Sequence, residues 1–202
     1  MYKSITQMIT ALSQLDDNKT YSYADYLRWK FEERVELIRG KIAAMSAPSM
    51  KHQKISRKIN HYLSNALWHT SCELFAAPFD VRLPLFNAKK NSEVITVVQP
   101  DICVICDKNK LDTKGCIGAP DLIVEIISPG NSRRELKDKY EIYQEAGVKE
   151  YWVVNPLEKT INIYSLNEKG IYIGLQPLVE GDFATTPIIP NLQVDLTEVF
   201  AD

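Results

Sequence analysis

The chain has 202 residues, which is enough for one domain with a sizeable hydrophobic core. Hydrophobic residues make up 45% and charged residues 25%, as in an ordinary globular protein, and the formal net charge of −2 excludes a global basic field that would attract nucleic acid. No apolar run approaches the length of a membrane span, and the N-terminal residues lack a signal peptide's apolar core and cleavage site, so we expect a cytoplasmic protein with no membrane contact.

The N-terminal part of the chain predicts a lead-in, a short helix and a hairpin. Residues 1–20 form a polar lead-in, and we expect a single domain over residues 21–202. Ser22 is placed to cap a helix that runs to about Trp29. The segment that follows predicts a β-hairpin at residues 35–45, with Gly40 in its turn.

A second helix, predicted from about Lys51 to Leu67, has two distinct faces. Its apolar stripe follows helical spacing through Ile55, Ile59, Tyr62, Leu63 and Ala66. His52 falls on that stripe in the first turn. The other side carries Lys54, Arg57, Lys58 and His61. This basic side is either a solvated helix face or a surface that meets phosphates.

Short apolar and β-branched runs in the rest of the chain predict strands at residues 79–84, 95–98, 102–105, 122–127, 151–154, 161–166 and 171–175. The longest loop is expected at residues 108–119. A helix is predicted to open at the capping box of Ser132 and Glu135 and to end at Gly147. This order predicts an α/β (α+β) fold, in which helices flank one mixed β-sheet.

Among the four cysteines, Cys103 and Cys106 lie three residues apart, a spacing that can mark a zinc or redox site. Here the pair lies in a strand-like run, where residues three apart face opposite ways. We therefore expect buried apolar thiols. The alternative is a zinc-stabilised module that uses Cys103, Cys106, Cys116 and His69.

A carboxylate interrupts the apolar strand predicted at residues 122–127. With a period of two, Glu125 shares one face with Asp121, for which we expect a structural role at the strand's start, whereas the other face is wholly apolar. A buried carboxylate is costly unless it is paired or bound to a metal ion. Asp101 follows Pro100 at the start of another predicted strand. The carboxylates of Asp101 and Glu125 can therefore lie side by side, where Mg²⁺ would relieve their repulsion.

The helix after this strand directs one lysine at the sheet. At about 100° per residue, Lys139 falls within the inward arc that Leu136, Tyr140 and Tyr143 define. A charge on an inward arc needs a counter-charge. The face of the sheet that carries Glu125 is the candidate partner.

These residues carry a resemblance to the PD-(D/E)XK nuclease superfamily. Pro100, Asp101 and Glu125 match its pattern, although Ile127 stands where the motif has its lysine, and Lys139 is placed to replace that lysine from the following helix. The chain further resembles the Uma-type putative restriction endonuclease family of bacteria. The segments that match are residues 35–40, 45–53, 99–102, 120–129, 139–143, 146–154 and 189–196.

The resemblance implies a restriction-endonuclease-like fold and a Mg²⁺-dependent endonuclease, with Mn²⁺ as a possible substitute. It implies that Asp101 and Glu125 bind the metal ion, with the carbonyl of residue 126 as a further ligand, and that Lys139 orients the attacking water. It places Glu36 and His52 at the edge of the catalytic site. The expected partner is DNA, with RNA not excluded, and the expected assembly is a homodimer with one active site per strand.

Each site residue also has a structural alternative. These alternatives are a turn residue for Asp101, a salt bridge to Lys139 or Arg82 for Glu125, a solvent-extended side chain for Lys139, a helix-start or core residue for His52, and a hairpin residue for Glu36. The alternative function is a catalytically inactive protein that keeps the nuclease fold and binds nucleic acid or a protein partner. The missing lysine at position 127 and the slightly acidic net charge favour it.

Overall fold

The computed structural model describes residues 8–84, 88, 90–128 and 133–201. The chain divides into a small unit and a large unit. The small unit comprises residues 1–46 and 82–98, and the large unit comprises residues 47–81 and 99–202. The single domain expected over residues 21–202 stays a prediction.

The helices are α1 (Tyr23–Tyr26), α2 (Met50–Leu67), α3 (Arg133–Ala146) and α4 (Leu196–Phe200), with 3-10 turns at Leu12–Gln14 and Lys108–Lys110. The strands up to residue 117 are β1 (Val35–Ile38), β2 (Lys41–Ala44), β3 (Glu73–Ala76), β4 (Val81–Arg82), β5 (Val97–Val98), β6 (Ile102–Ile105), β7 (Leu111–Asp112) and β8 (Gly115–Ile117). The later strands are β9 (Leu122–Ile126), β10 (Glu150–Asn155), β11 (Thr160–Leu166), β12 (Tyr172–Gly174), β13 (Leu178–Val179), β14 (Phe183–Thr186) and β15 (Ile189–Asp195).

The small unit contains the predicted hairpin. Strands β1 and β2 pair antiparallel from Val35 opposite Ala44 to Ile38 opposite Lys41. Gly40 in the turn has φ of +76°, and a Cβ atom there would lie 2.3 Å from Thr20 Cγ2, so only glycine fits. The buried core of this unit consists of Tyr21, Tyr23, Trp29, Val35, Leu37, Val94 and Val97.

Helix α1 is shorter than expected. The carboxylate of Asp25 accepts hydrogen bonds from the Ser22 backbone N–H at 3.0 Å and from its hydroxyl at 2.8 Å, which fixes the predicted start of the helix. The N–H groups of Arg28 and Trp29 then donate to carbonyls three residues back. The chain therefore tightens into a 3-10 geometry before it reaches Trp29.

The large unit holds the main sheet, whose described strands follow the order β12-β11-β10-β9-β6-β3, with β13 also paired to β11. Strands β9 and β10 run parallel, whereas the other neighbours in this order pair antiparallel. The sheet is therefore mixed. The described part of the chain combines this mixed sheet with helices, so the predicted α+β fold class is confirmed.

The two faces of β9 differ as its alternation predicts. Leu122, Val124 and Ile126 are buried in a core with the apolar stripe of α2. The intervening position 125 faces α3, whose side chains contact the Glu125 carboxylate. The central strand thus separates an apolar layer from a layer that contains a charge.

Several sequence predictions need correction. The strands expected at residues 79–84 and 95–98 are limited to β4 and β5. The expected loop at residues 108–119 contains the β7–β8 hairpin, because Gly115 has φ of +120° and the next N–H, of Cys116, donates to the Asp80 carbonyl at 2.9 Å. Strands β13 to β15 and helix α4 were not predicted at all.

The predicted end of the third helix is confirmed, because the N–H of Gly147, at φ of +86°, donates to the carbonyl of Tyr143. The capping box predicted at its start includes Ser132, which lies outside the described residues. Within the ranges that the structure describes, no helix is long and apolar enough to cross a membrane.

The cysteines are arranged differently from the prediction. Cys106 forms a disulfide with Cys72, so the expectation of a buried free thiol at position 106 is wrong, and the zinc hypothesis loses one of its ligands. Cys103 and Cys116 are buried free thiols, as expected. Burial raises the pKa of the Cys103 thiol, which keeps it protonated.

Glu150 at the start of β10 is a buried acid, with 2% of its surface exposed. Its carboxylate accepts a hydrogen bond from Trp152 Nε1 at 2.6 Å. Burial raises the pKa of Glu150, and hydrogen bonds from Trp152 and Thr186 offset that effect only in part.

The substitution Glu150→Gln should therefore stabilise the protein increasingly, relative to the parent, as pH rises. Below the ordinary pKa of 4.5 the acid is protonated whether the chain is folded or not. The stability that the buried neutral acid contributes is lost as pH rises through the raised folded pKa, and glutamine cannot ionise. Urea unfolding of both proteins between about pH 4 and pH 8 measures this difference. A difference that stays constant with pH would contradict the assignment.

Candidate active site

Two adjacent strands place the candidate carboxylates together. Strands β6 and β9 pair antiparallel with Ile102 opposite Val124. Asp101 directly precedes Ile102 and Glu125 directly follows Val124, so the two acids flank this pair at the same end of the strands. Both acids thus belong to one end of the central strands of the large unit.

One oxygen of Asp101 binds two groups. Its Oδ2 accepts a hydrogen bond from the Ile126 N–H at 2.8 Å, and it lies 3.1 Å from His52 Nε2. The first contact ties the Asp101 side chain to the end of β9. The second ties it to the first turn of α2, so the carboxylate is held by two separate elements.

His52 is buried, with 7% of its surface exposed, and its backbone N–H donates to the Ser49 hydroxyl that caps α2. Burial lowers its pKa, but the hydrogen bond and charge of Asp101, the charge of Glu125 and the Ile126 backbone together raise the pKa above its ordinary value. Its Nδ1 has no hydrogen-bond partner among the described residues. The resemblance predicts His52 at the edge of the site, and the structure places its imidazole in contact with the Asp101 carboxylate.

Glu125 is the most strongly engaged acid of the site. Its Oε1 accepts hydrogen bonds from Lys139 Nζ at 2.9 Å and from the Tyr143 hydroxyl at 2.6 Å. The side chains of Lys139 and Glu125 are only 8% and 12% exposed. The salt bridge between Lys139 and Glu125, which is the structural alternative for Glu125, is therefore present. The Lys139 side chain points to the predicted site.

Helix α3 delivers both partners of Glu125 because Lys139 and Tyr143 are four residues apart and share one face of the helix. Tyr143 was not assigned a role from the sequence. The sequence places Tyr143 on the inward arc of α3 beside Lys139. That position is equally typical of a core residue. Only the contact of its hydroxyl with the Glu125 carboxylate distinguishes Tyr143 from an ordinary core residue.

The remaining acids lie elsewhere. Asp121 sits at the opposite end of β9, where it accepts from the Cys106 N–H at 2.8 Å and pairs with Lys149 at 2.7 Å. Although burial raises the pKa of Asp121, these contacts lower it more, so it serves as a structural anchor. Glu36 is buried in β1 of the small unit, where it lies opposite Ala43. Its role at the site stays a prediction.

The donor set suits a hard divalent cation. Asp101 and Glu125 supply carboxylate oxygens, and the Ile126 backbone lies beside them. Mg²⁺ is usually held by one or two carboxylates, with water and substrate phosphate completing its shell, rather than by an all-protein cage. The part of the chain that the structure describes contains no group of three or more His, Cys, Asp or Glu residues arranged to hold a metal ion.

Comparison with known proteins adds three findings. Residues 23–197 match the model of the Uma2 family, described as "Putative restriction endonuclease". The uncharacterized protein slr1290 of Synechocystis sp. is 26% identical over 152 residues, which cover 74% of this chain and 76% of that protein. The fold is similar to the crystal structure of a putative nuclease of DUF820 from Anabaena variabilis, with a TM-score of 0.68, 19% identity, and coverage of 89% of this chain and 97% of that one.

The substitution Tyr143→Phe should destabilise the protein by about 1–3 kcal/mol, because it removes a hydrogen bond to a mostly buried carboxylate. Urea unfolding measures the loss. The matched control is Tyr140→Phe on the same helix, since the Tyr140 ring packs on Tyr164 and its hydroxyl has no hydrogen-bond partner among the described residues. Equal effects of the two substitutions would show that the hydroxyl contact with Glu125 contributes nothing.

Proposed function

Because the chain belongs to the Uma2 family of putative restriction endonucleases, we propose that it is a metal-dependent endonuclease that hydrolyses the phosphodiester bonds of DNA. The observation that carries this proposal is that Asp101 bonds to the backbone N–H of Ile126, the residue after Glu125, while Lys139 pairs with Glu125. Two carboxylates and a cation at one end of a mixed sheet are the groups that hydrolysis of a phosphodiester requires. RNA has the same linkage and is an alternative substrate.

Asp101 and Glu125 would hold the metal ion, preferably Mg²⁺, with Mn²⁺ as a substitute. When bound, such an ion supplies Lewis acidity at a phosphoryl oxygen and lowers the pKa of a coordinated water. Every other contribution comes from the chain. The ligands are already oriented, because Asp101 is tied to the Ile126 N–H and Glu125 to the Tyr143 hydroxyl. Orientation before substrate binding reduces the entropy cost of reaching the reactive geometry.

Lys139 is proposed to orient the attacking water and to offset negative charge that develops on the phosphate. In the reaction the water oxygen bonds to phosphorus, the ester bond to one nucleotide breaks, and the leaving oxygen takes up a proton. Lys139 replaces, from α3, the lysine that the motif carries two residues after its acid. Its ammonium group reaches the same carboxylate from the helix, at 2.9 Å.

His52 is proposed as a positioning residue that acts through Asp101. Outer-shell partners of this kind fix the orientation of a ligand and typically change metal affinity or activity 10- to 100-fold when removed. The backbone hydrogen bond to Ser49 holds His52 in the first turn of α2, so the contact with Asp101 is set by the helix.

A second candidate function has its own observation in its favour. Lys139 already neutralises Glu125, and His52 already contacts Asp101, so the acids are compensated without any metal ion. A non-catalytic protein that keeps this fold and binds nucleic acid is compatible with such a site. Binding without cleavage, insensitive to EDTA, would favour it. Assembly as a homodimer stays a prediction.

Purified protein should relax or linearise supercoiled plasmid in the presence of Mg²⁺ or Mn²⁺ and lose this activity in EDTA. Glu125→Gln should lower the rate by about a thousandfold or more, since loss of a metal ligand removes several kcal/mol of transition-state stabilisation. The matched control is Glu168→Gln, an exposed acid outside the site. Equal activity of Glu125→Gln and the parent would refute the assigned site.

His52→Ala should reduce cleavage about 10- to 100-fold and raise the Mg²⁺ concentration that gives half-maximal rate. His52→Gln should recover part of the loss, because its amide nitrogen can reach Asp101 as the imidazole nitrogen does. His69→Ala, at an exposed position, is the control. A fall in rate with no change in metal dependence would point to damage to the fold, which thermal unfolding of each variant would reveal.

A further inference from the structure

Helix α2 carries a cluster of basic residues and has no acidic residue of its own. Its 18 residues include Lys51, Lys54, Arg57 and Lys58 but no aspartate or glutamate. The whole chain has 26 acidic residues against 24 basic ones, so this helix departs sharply from the balance of the molecule. Without a carboxylate on the helix, these cations cannot form the i,i+4 ion pairs that exposed helices commonly use.

The positive groups form one continuous stripe. At about 100° per residue, the side chains of a set that we call the basic face fall within an arc of about 120°. The basic face consists of Lys51, Lys54, Arg57, Lys58 and His61. The side chains that pack into the core lie on a different arc, at Ile55, Ile59, Leu63 and Leu67. The members of the basic face are exposed or half-buried, and the stripe is about 15 Å long, the axial length of about four base pairs.

The same helix connects this stripe to the candidate active site. His52, in the first turn, contacts Asp101 from the arc that packs on the sheet, at least about 100° from every member of the basic face. Because α2 is a continuous helix packed on the sheet, the position of the basic face relative to the two carboxylates is fixed. Lys51, the first member of the basic face, is next to His52 in sequence, so the stripe begins at the end of α2 that contacts Asp101.

The far end of the basic face borders a groove of about 630 Å³ between α2 and the C-terminal helix α4. It is lined by Arg57, Lys58, His61, Tyr62, Glu198 and Ala201. Its acid, Glu198, accepts a hydrogen bond from the Tyr62 hydroxyl, a contact that raises the pKa of Tyr62 to about 12. Lys58 Nζ donates to the Ala201 carbonyl at 2.5 Å, so Lys58 has a structural contact here.

We propose that the basic face of α2 binds the phosphate backbone of the nucleic acid. The inference rests on the proposed function for the nature of the substrate. Charge complementarity supports the assignment: a row of cations on a helix that has no acidic residue matches a row of phosphates. A slightly acidic protein needs such a local patch to approach a polyanion. An acidic polypeptide is the competing occupant, and the experiment distinguishes the two.

The test measures binding in EDTA, where no cleavage occurs, by fluorescence anisotropy of a labelled 20-base-pair DNA duplex over a range of salt concentrations. The double variant Lys54→Gln/Arg57→Gln is compared with Lys114→Gln/Lys169→Gln. Both change the net charge equally, and the control positions are exposed turn residues outside α2. Glutamine preserves helix propensity at positions 54 and 57.

The slope of log K against log salt should fall by about 2 in the α2 variant, with a tenfold to hundredfold loss of affinity at about 0.1 M salt, and should stay unchanged in the control. Equal slopes in the two variants would overturn the inference. So would tighter binding of polyglutamate of matched charge than of the duplex. Single-stranded DNA and RNA probes show which nucleic acid binds; loss of affinity for any of them in the α2 variant alone supports the inference.

Failure of the inference and failure of the proposed function give different results. If Glu125→Gln leaves plasmid cleavage intact but the α2 variant loses affinity, the site assignment fails and the basic face stands. If Glu125→Gln abolishes cleavage while the α2 variant binds as the control does, the site assignment stands and the inference about the basic face fails. Far-ultraviolet circular dichroism checks that the double variant remains folded. If the double variant is unfolded, Arg57→Gln alone replaces it, with an expected slope change of about 1.

Discussion

The need to compensate the Glu125 carboxylate on a central strand governs the architecture around the candidate site. A charge buried there is tolerable only with a counter-charge and hydrogen-bond donors. Helix α3 supplies both, since Lys139 and Tyr143 bond to the same carboxylate oxygen. The face of α3 that packs on the sheet is thus defined by this acid as much as by apolar contacts. Lys139 thus places a positive charge against Glu125, although position 127 carries no lysine.

The acidic side chains at the two ends of β9 have different partners and different exposure. At one end of β9, Asp121 bonds to Lys149 and to the Cys106 N–H, contacts that keep it ionised and structural. Next to it, burial favours the protonated form of Glu150. At the other end, Asp101 and Glu125 retain partly exposed side chains. The end with the more exposed acids is the one proposed for chemistry, and the acids at the other end have structural contacts.

Local periodicity in the sequence predicted the direction of side chains but not their contact partners. The alternation of residues 122–127 predicted both the apolar face and the inward acid, because a strand has a fixed period of two. Helical spacing placed Lys139 on the inward side of α3. The same reasoning treated Tyr143 as core, since periodicity reports direction but not the partner of a hydroxyl. The disulfide of Cys106 was missed because Cys72 is 34 residues away and only the pairing of β3 with β6 brings the two cysteines together.

The sequence by itself determined the fold class, the long basic helix and the identity of the candidate acids and lysine, because each depends on local spacing or on a motif within a short segment. The tertiary structure alone decided that Asp101 bonds to the backbone next to Glu125, that His52 contacts Asp101 and that Tyr143 shares Glu125 with Lys139. These contacts join residues 14 to 49 positions apart. Strand register and helix packing set them, and no local pattern in the chain encodes either.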